Sequence, residues 1–364
     1  MTNSISIAFV VSNVRPERCG VSDYSIRMVA LLSQRCKSVA LLALKRDPET
    51  TRDVETCEGL VRVLDLNRDN AKQYDVLIVQ HVPNNLFIGN DYINKIREIN
   101  HPRVYLMLHE IWYLSTVDHK IPIFKRFKVF SQKIKLKRIL RALKPKKVFT
   151  SNSFYHDALS KEKIESEILP IIGTIPVYTN IVLLDQLTLP KWWSNGENRV
   201  LWVNFGSLYT SYWDCLKFFE SIKDLHLESK IHRWIVCGHQ SDIDCQNLSK
   251  AASVAGCLDQ IHFTGSISAK YIDGLIQKAD YSFSGNSQEI WQKSTGILTA
   301  LERKIPVYLP RNSIWITPFD PRDLIHSSEL KTKFTMCSQS FEIADESKYS
   351  PDLIVEKLLQ LIEF

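Results

Sequence analysis

The chain has 364 residues, 45% of them hydrophobic and 24% charged, which excludes an intrinsically disordered protein and is enough for two domains with separate cores. The formal net charge is +6, yet twelve Lys or Arg and no acidic residue fall between Lys120 and Lys147, so the remainder of the chain is net acidic. Eight scattered cysteines, with no Cys-x-x-Cys pair and no close Cys/His cluster, argue against a disulfide framework or a zinc site and fit a reducing compartment.

At the N-terminus, MTNSISIAFVVSN lacks a basic n-region, and its apolar run of about seven residues is too short for a signal peptide or a membrane span. Ile5–Ser12 reads instead as a first buried strand. No other segment approaches the roughly 18 uninterrupted apolar residues that crossing a bilayer needs. Helical periodicity over residues 21–34 comes next, then a strand at Ser38–Leu44 and another in DVLIVQ at Asp75–Gln80. Tyr92–Ile99 is predicted helical, RVYLML (Arg103–Leu108) a strand and KVFTS (Lys147–Ser151) another. Short apolar runs without alternation mark strands buried on both faces, as in a parallel sheet flanked by helices.

Two features of this half could carry chemistry. The connection from Ser12 to Tyr24 is long, and Gly20 in it would let backbone come close to a ligand. It is not G-x-G-x-x-G, so the dinucleotide fingerprint is absent. His109 and Glu110 follow RVYLML, at the carboxyl end of a strand, where cleft residues sit. A histidine there can act through its donor nitrogen or as a base, or can simply be structural.

Within residues 120–147 the cations are interleaved with Ile123, Phe124, Phe127, Phe130, Ile134, Leu136, Ile139, Leu140 and Leu143. A basic amphipathic helix or helix pair is the simplest shape for this pattern. It suits an anionic membrane surface; the plain alternative is a core-packed helix with a solvated basic face. No nucleic-acid motif accompanies it, and no nucleic-acid partner is expected.

Residues 169–196 break into Pro- and Gly-containing loop with a Trp192-Trp193 pair, a candidate linker. Alternation then restarts, with strands at Val200–Phe205, Arg233–Cys237, Gln260–Thr264 and Tyr281–Ser284 and helices at Asp214–Ile222, Ser241–Ala255 and Tyr271–Lys278. Gly206, Gly238 and Gly265 each end a strand. Singly each is only a turn; together they describe a rim that a nucleotide could approach closely. The segment GNSQEIWQKSTGILTALERKIP, Gly285–Pro306, places Asn286, Glu289 and Lys293 ahead of a helix capped by Ser294 or Thr295. A helix start of this kind attracts anions, and Lys293 adds a full charge; an ordinary capped helix beside a surface lysine is the plain reading. Ile305–Leu309 is a further strand, and SPDLIVEKLLQLIEF (Ser350–Phe364) a terminal helix.

The order of CGVSDYS, LHEIW, VFTSN, FGS, CGH, FTGSIS and QKSTG…ALERKIPV resembles that of GT-B glycosyltransferases over nearly the whole chain. It is most similar to the large retaining group that uses nucleotide-sugar donors to build bacterial surface polysaccharides and glycolipids. The resemblance implies an α/β fold with two Rossmann-like, doubly wound parallel-sheet domains facing across a cleft. It assigns residues 1–178 to an acceptor domain, 197–345 to a donor domain, and 346–364 to a helix returning to the first domain. It implies no metal and no cofactor, the nucleotide sugar being a substrate, and a glycan or lipid-linked acceptor. The expected location is cytoplasmic, peripheral at the inner face of a membrane.

Carried over by position, Gly20 would lie near the donor phosphate or sugar, and His109 near the transferred sugar. Gly206 and Ser207 would line the diphosphate and Gly238 the base-binding rim. Lys293, Ser294 and Thr295 would meet the phosphates, with Asn286 and Gly296 in the same donor-binding loop and Glu289 accepting from a sugar hydroxyl. Two departures stand out. The family often has two glutamates eight positions apart, where this chain has Trp291 and Thr299, and Ser207–Asp214 lacks the family's usual basic residue, so Lys293 would supply that charge. The missing pair keeps a second class open, a non-catalytic GT-B-like subunit that binds a partner glycosyltransferase or a membrane. A third, a nucleotide-sugar epimerase, would need several acid/base carboxylates and histidines that the first half does not assemble.

Overall fold

In the computed structural model the chain forms two compact units, Met1–Ile171 with Pro351–Phe364, and Ile172–Ser350. The structure describes residues 3–17, 19–46, 53–82, 91–112, 123–179, 184, 187–193, 199–206, 208, 211–224, 231–238, 240–286, 288–310, 314–317, 340–344 and 349–362.

The first unit runs β1 (Asn3–Val14), α1 (Gly20–Ser33), β2 (Cys36–Arg46), β3 (Asp53–Thr56), β4 (Gly59–Asp65), α2 (Arg68–Ala71), β5 (Val76–His81), α3 (Asp91–Ile99), β6 (Val104–Leu108), α4 (Ile123–Leu143), β7 (Val148–Thr150), α5 (Ser153–Lys161) and β8 (Glu167–Ile168). Its sheet has the order β3-β4-β2-β1-β5-β6-β7-β8, parallel except for β3 against β4. β5 and β6 are buried nearly throughout, which is why their sequences are continuous apolar runs. The order reverses between β1 and β5, so the crevice at their carboxyl ends is a topological switch point, where open α/β sheets bind ligands. The β3–β4 hairpin has no counterpart among the expected elements. It turns at Gly59 (φ +142°) and is tied to α1 by Glu58, whose carboxylate pairs with the buried Arg27 guanidinium at 3.0 Å.

The second unit runs β9 (Arg199–Phe205), α6 (Tyr212–Asp224), β10 (Ile231–Cys237), α7 (Asp242–Ala255), β11 (Ile261–Gly265), α8 (Ala269–Ile276), β12 (Tyr281–Phe283), α9 (Thr295–Leu301), β13 (Val307–Leu309), β14 (Ile314–Thr317) and β15 (Ser340–Ile343). The sheet order is β11-β10-β9-β12-β13-β14-β15; the first five strands are parallel and β14 is antiparallel to β13. Its switch point lies between β9 and β12. Strand alternation divides the core: Val200 and Trp202 of β9 pack with Phe218 of α6 and Leu248 of α7, whereas Leu201 and Val203 pack with Ile272 and Leu275 of α8.

The helix α10 (Pro351–Ile362) belongs to the first unit. Its last carbonyl, on Ile362, accepts from the Tyr105 hydroxyl at 3.1 Å and from the Arg103 guanidinium, and Asp352 in its first turn pairs with Arg35. The two units divide between Ile171 and Ile172, near the start of the expected linker at 169–196. Ile175, Leu184 and Trp192 are buried in the core of the second unit, and the Arg199 guanidinium stacks 4.7 Å from the Trp193 ring. Pro and Gly stop regular elements in this stretch, but its apolar side chains still bury.

Candidate functional site

Among the described residues, the switch point of the first unit is built by the connection after β1, the end of β5 and the start of the connection after β6. After β1 the chain turns back onto the start of α1: the Arg15 amide donates to Ser22 Oγ (3.0 Å) and the Glu17 amide to Asp23 Oδ1 (2.8 Å). Glu17 adopts φ +60°, a left-handed conformation costly for a residue with a side chain, and the bond to Asp23 helps to hold it there. Gly20 opens α1 with nothing within 4 Å of where a Cβ would stand, so its surface is open. Burial pushes the Asp23 carboxyl up to about 7; the Glu17 amide opposes this shift and the Glu17 charge adds to it.

His109 directly follows β6 and is buried. Its amide donates to His81 O at 3.1 Å, its Nε2 lies 2.7 Å from Gln80 Oε1, and its ring meets the Tyr24 ring in a T-shaped contact with centroids 4.9 Å apart at 75°. Tyr24 lies one helical turn beyond Gly20, so the structure brings Gly20 and His109, far apart in sequence, to one edge of the first sheet. Desolvation pushes the His81 imidazole down to about 4.

In the second unit, Gly206, Gly238 and Gly265 all sit at the carboxyl edge in left-handed backbone, with φ of +88°, +89° and +64°. A side chain at any of them would be strained, yet none has a neighbour within 4 Å of a Cβ position. Gln240 ties two of these turns together: its Nε2 donates to Gly206 O (2.8 Å) and Cys237 O (3.2 Å), and its Oε1 accepts from the Leu208 amide (3.1 Å). The Gly238 amide donates to Gly265 O at 3.0 Å, linking the third.

The same edge receives the loop before α9. Ser294 is the N-cap, its Oγ accepting from the Ile297 amide, and Asn286 Nδ2 donates to Ser294 Oγ (3.0 Å) and Ser284 Oγ (2.9 Å). Thr295 is the first helical residue, and Gly296 packs directly on the Phe205 carbonyl at the end of β9. Lys293 closes the 3-10 turn Gln288–Lys293, half-buried and engaged with its surroundings. Glu289 belongs to that turn; its side chain lies outside the described residues, as does Ser207. α9 has only seven residues, so the anion-attracting field expected from a helix start is that of two turns.

The two positions where the resembled family often carries glutamates are buried. The Trp291 ring packs on Tyr349 with centroids 5.4 Å apart, and Thr299 is wholly buried against Gly173, whose Cβ would stand 2.6 Å from Thr299 Oγ1. Sequence reasoning missed Gln80 and Gln240. The available signal was a lone uncharged polar residue closing the apolar run DVLIVQ, and a second one just past the turn Gly238-His239. Among the described residues no group of three or more His, Cys, Asp or Glu could hold a metal ion.

Residues 123–143 of the basic segment form the single helix α4. Leu136 and Leu143 face the core, while Phe127 and Phe130 are 71% and 63% exposed. On that outward side, one to three turns further on, lie the exposed Lys135, Arg138 and Arg141. Not every cation is available. Lys133 and Lys137 both pair with Glu162 of the first unit (2.6 and 2.8 Å), which holds that carboxyl below its usual range, and Lys147 pairs with Glu167 at 3.0 Å. No helix among the described residues is long and apolar enough to cross a membrane.

No protein-family model matches the chain, and no curated protein matches it by sequence. Solved structures do match it in shape. Sucrose-phosphate synthase from Thermosynechococcus elongatus, 12% identical, aligns over 99% of this chain and 98% of its own with a TM-score of 0.59. A glycosyltransferase from Rickettsia africae ESF-5, 14% identical, aligns over 99% and 98% with a TM-score of 0.57. Anabaena HepE in complex with UDP and glucose, 12% identical, aligns over 97% and 90% with a TM-score of 0.53. The chain thus has the GT-B fold, with two Rossmann-like parallel-sheet units.

Proposed function

We propose that the chain is a glycosyltransferase that moves a sugar from a nucleotide sugar to a carbohydrate or lipid-linked acceptor with retention of configuration. The observation that carries this reading is the edge of the second unit. Three strands end there in open left-handed glycines, braced by Gln240 and joined by the capped start of α9 beside Lys293. That is a surface of exposed backbone next to a cation, suited to a diphosphate and its nucleoside. Support comes from the similarly folded HepE, whose structure holds UDP and glucose.

Gly206 and Ser207 then line the diphosphate, Gly238 borders the base, and Asn286, Ser294, Thr295 and Gly296 shape the phosphate loop. Lys293 offsets negative charge as the bond between the anomeric carbon and the phosphate oxygen breaks and its electron pair leaves with the diphosphate. The acceptor oxygen forms the new bond on the same face, and its proton passes to the departing diphosphate. No metal takes part. Gly20 and His109 contact the transferred sugar, and Glu289 accepts from one of its hydroxyls. The outward face of α4, with Phe127 and Phe130 ahead of Lys135, Arg138 and Arg141, suits an anionic lipid surface. We place the enzyme there, at the cytoplasmic face, in bacterial surface polysaccharide or glycolipid assembly.

Calorimetric titration with UDP, UDP-glucose and other nucleotide sugars, followed by NMR of the product's anomeric proton, tests the proposal. Binding of a nucleoside diphosphate and a retained configuration are expected; indifference to every nucleotide would overturn it. One observation favours a second reading, a non-catalytic GT-B subunit. Trp291 and Thr299 fill with buried, uncharged side chains the two places where donor-binding carboxylates would otherwise stand. Nucleotide binding without turnover on any acceptor would select that reading.

A further inference from the structure

A buried charged network lies at the end of α9 opposite the phosphate loop. Arg303, two residues past the helix, donates from Nε to Asp273 Oδ1 of α8 at 2.6 Å and from Nη1 to the Thr299 carbonyl at 2.8 Å. Its Nη2 donates to the carbonyls of Ile175 (3.1 Å) and Pro176 (2.8 Å). Asp273 is wholly buried, and its Oδ2 accepts from the Tyr178 amide (3.0 Å) and from Gln277 Nε2 (2.7 Å). Glu302 Oε1 accepts from the Gly173 amide at 2.7 Å. Gly173 also rests on Thr299, where a Cβ would stand 2.8 Å from the Thr299 nitrogen and Cα. The second unit begins at Ile172, so these contacts fasten the segment by which the chain enters it. The segment where the chain leaves the unit shows the same pattern. The Trp291 ring, in the 3-10 turn ahead of Ser294, packs on Tyr349, one residue before the unit ends at Ser350. With seven residues, α9 spans only about 10 Å from the loop to this network. Five of those residues are buried, so the helix has little freedom to bend between the two.

We propose that Arg303 is a positioning residue that fastens the segment Gly173–Tyr178 to the tail of α9, so that nucleotide binding at the loop before α9 and the order of that segment are coupled. The nucleotide part of this inference rests on the glycosyltransferase reading; the mechanical link between loop and segment does not. Coupling of this kind is reciprocal: whatever loosens the segment weakens the nucleotide, and whatever loosens the loop frees the segment. Arg303 touches neither the loop nor a phosphate in this arrangement. Its effect on the nucleotide passes through Thr299 and α9.

The test uses the full chain and reads both directions. Arg303→Lys keeps a positive charge beside Asp273 but replaces the fork that reaches Asp273, Thr299, Ile175 and Pro176 with a single ammonium. Calorimetric titration well below the melting temperature is expected to show UDP affinity lower by about fivefold or more. A role confined to stability would lower the melting temperature and leave that affinity alone. Should Arg303→Lys fail to fold, Gln277→Ala takes its place: Gln277 is exposed, yet its Nε2 holds Asp273 Oδ2 and the Tyr178 carbonyl. In the other direction, Ser294→Ala removes the cap of α9 without touching the network. Amide hydrogen exchange without nucleotide is expected to quicken at Gly173 and Tyr178 more than at Leu201. The Leu201 amide, held by Asp280 in the central strand β9, follows unfolding of the whole unit. Wild-type UDP affinity in the folded Arg303 or Gln277 variant would overturn the inference, and so would exchange at Gly173 and Tyr178 that changes no more than at Leu201. If the wild type binds neither UDP nor UDP-glucose, the glycosyltransferase reading fails, and hydrogen exchange alone then decides the mechanical link.

Discussion

Gly296 and Phe205 lie so close that a Cβ on Gly296 would stand 2.3 Å from the Phe205 carbonyl oxygen. This approach seats the first turn of α9 on the end of β9, beside Gly206, and carries Ser294 and Lys293 to the same edge of the sheet. The obstructing atom is backbone at the end of a central strand, which cannot swing aside like the tip of a side chain. Gly296→Ala is therefore expected to cost about 1–3 kcal/mol, as overpacking of a tight contact does. UDP affinity should fall with it, because the phosphate loop moves with the helix. Denaturant unfolding and calorimetry check both effects; wild-type stability and affinity together would show that α9 does not need this seat.

Lys293 and His109 should separate nucleotide binding from chemistry. Lys293→Ala is expected to leave the fold intact, weaken UDP binding and cut turnover by more than about tenfold, about 1.4 kcal/mol in the barrier. His109→Ala should slow turnover while leaving UDP affinity nearly unchanged, since the nucleotide is assigned to the other unit. Steady-state kinetics beside UDP titration distinguish the two. A large drop in melting temperature for His109→Ala, with no specific loss of rate, would assign the histidine to structure alone.

The alternation of buried strands with helices was legible in the sequence because parallel strands covered on both faces read as unbroken apolar runs, as in DVLIVQ and RVYLML. The strand ends that carry Gly206, Gly238 and His109 were found for the same reason. Other features left weaker traces. The hairpin at Asp53–Gly59 is exposed on its edge strand and held by the long-range Arg27–Glu58 pair, which no local pattern announces. Residues 169–196 looked like a linker because Pro and Gly break periodicity, although Trp192 is buried in a core. Lys133 and Lys137 read as part of the basic face because their partner, Glu162, lies more than twenty residues away in sequence. Gln80 and Gln240 act through bonds that tertiary structure alone creates.

Stability should depend on pH from both sides. The Asp23 carboxyl, raised by burial from 3.8 to about 7, is neutral in the folded chain but charged in the unfolded one over that window. Raising pH through it therefore removes stability, and the full cost is present above about 7. His81 and His232 run the other way. Burial lowers both from 6.5 to about 4, so the unfolded chain takes up protons first and stability is lost as pH falls through that range. Asp23→Asn keeps an oxygen for the Glu17 amide and removes the ionisation. It is expected to raise the melting temperature at pH 8 by about 2–4 °C, for roughly 1 kcal/mol recovered, and to change it little near pH 4. An equal effect at both values would show that Asp23 does not titrate in this window.

The cations of α4 divide into two sets with different predicted effects. Lys133 and Lys137 hold Glu162, so changing both to Gln should act on the first unit itself: a modest loss of melting temperature, little change in lipid binding, and little dependence of that loss on lipid. Lys135, Arg138 and Arg141 lie exposed on the side that also shows Phe127 and Phe130. Each contributes about 1 kcal/mol near an anionic surface, an attraction that fades beyond a Debye length of about 8 Å at physiological salt. Changing these three to Gln should abolish most co-sedimentation with vesicles containing phosphatidylglycerol. The wild type should bind such vesicles at low salt, release them steeply as salt rises, and ignore phosphatidylcholine vesicles. Phe127→Ser with Phe130→Ser should weaken binding in a way that salt does not amplify, because the lost term is apolar insertion. Turnover with a soluble acceptor should survive both sets of changes. Co-sedimentation equal for the wild type and the Lys135, Arg138 and Arg141 variant at low salt would show instead that this face of α4 is merely solvated.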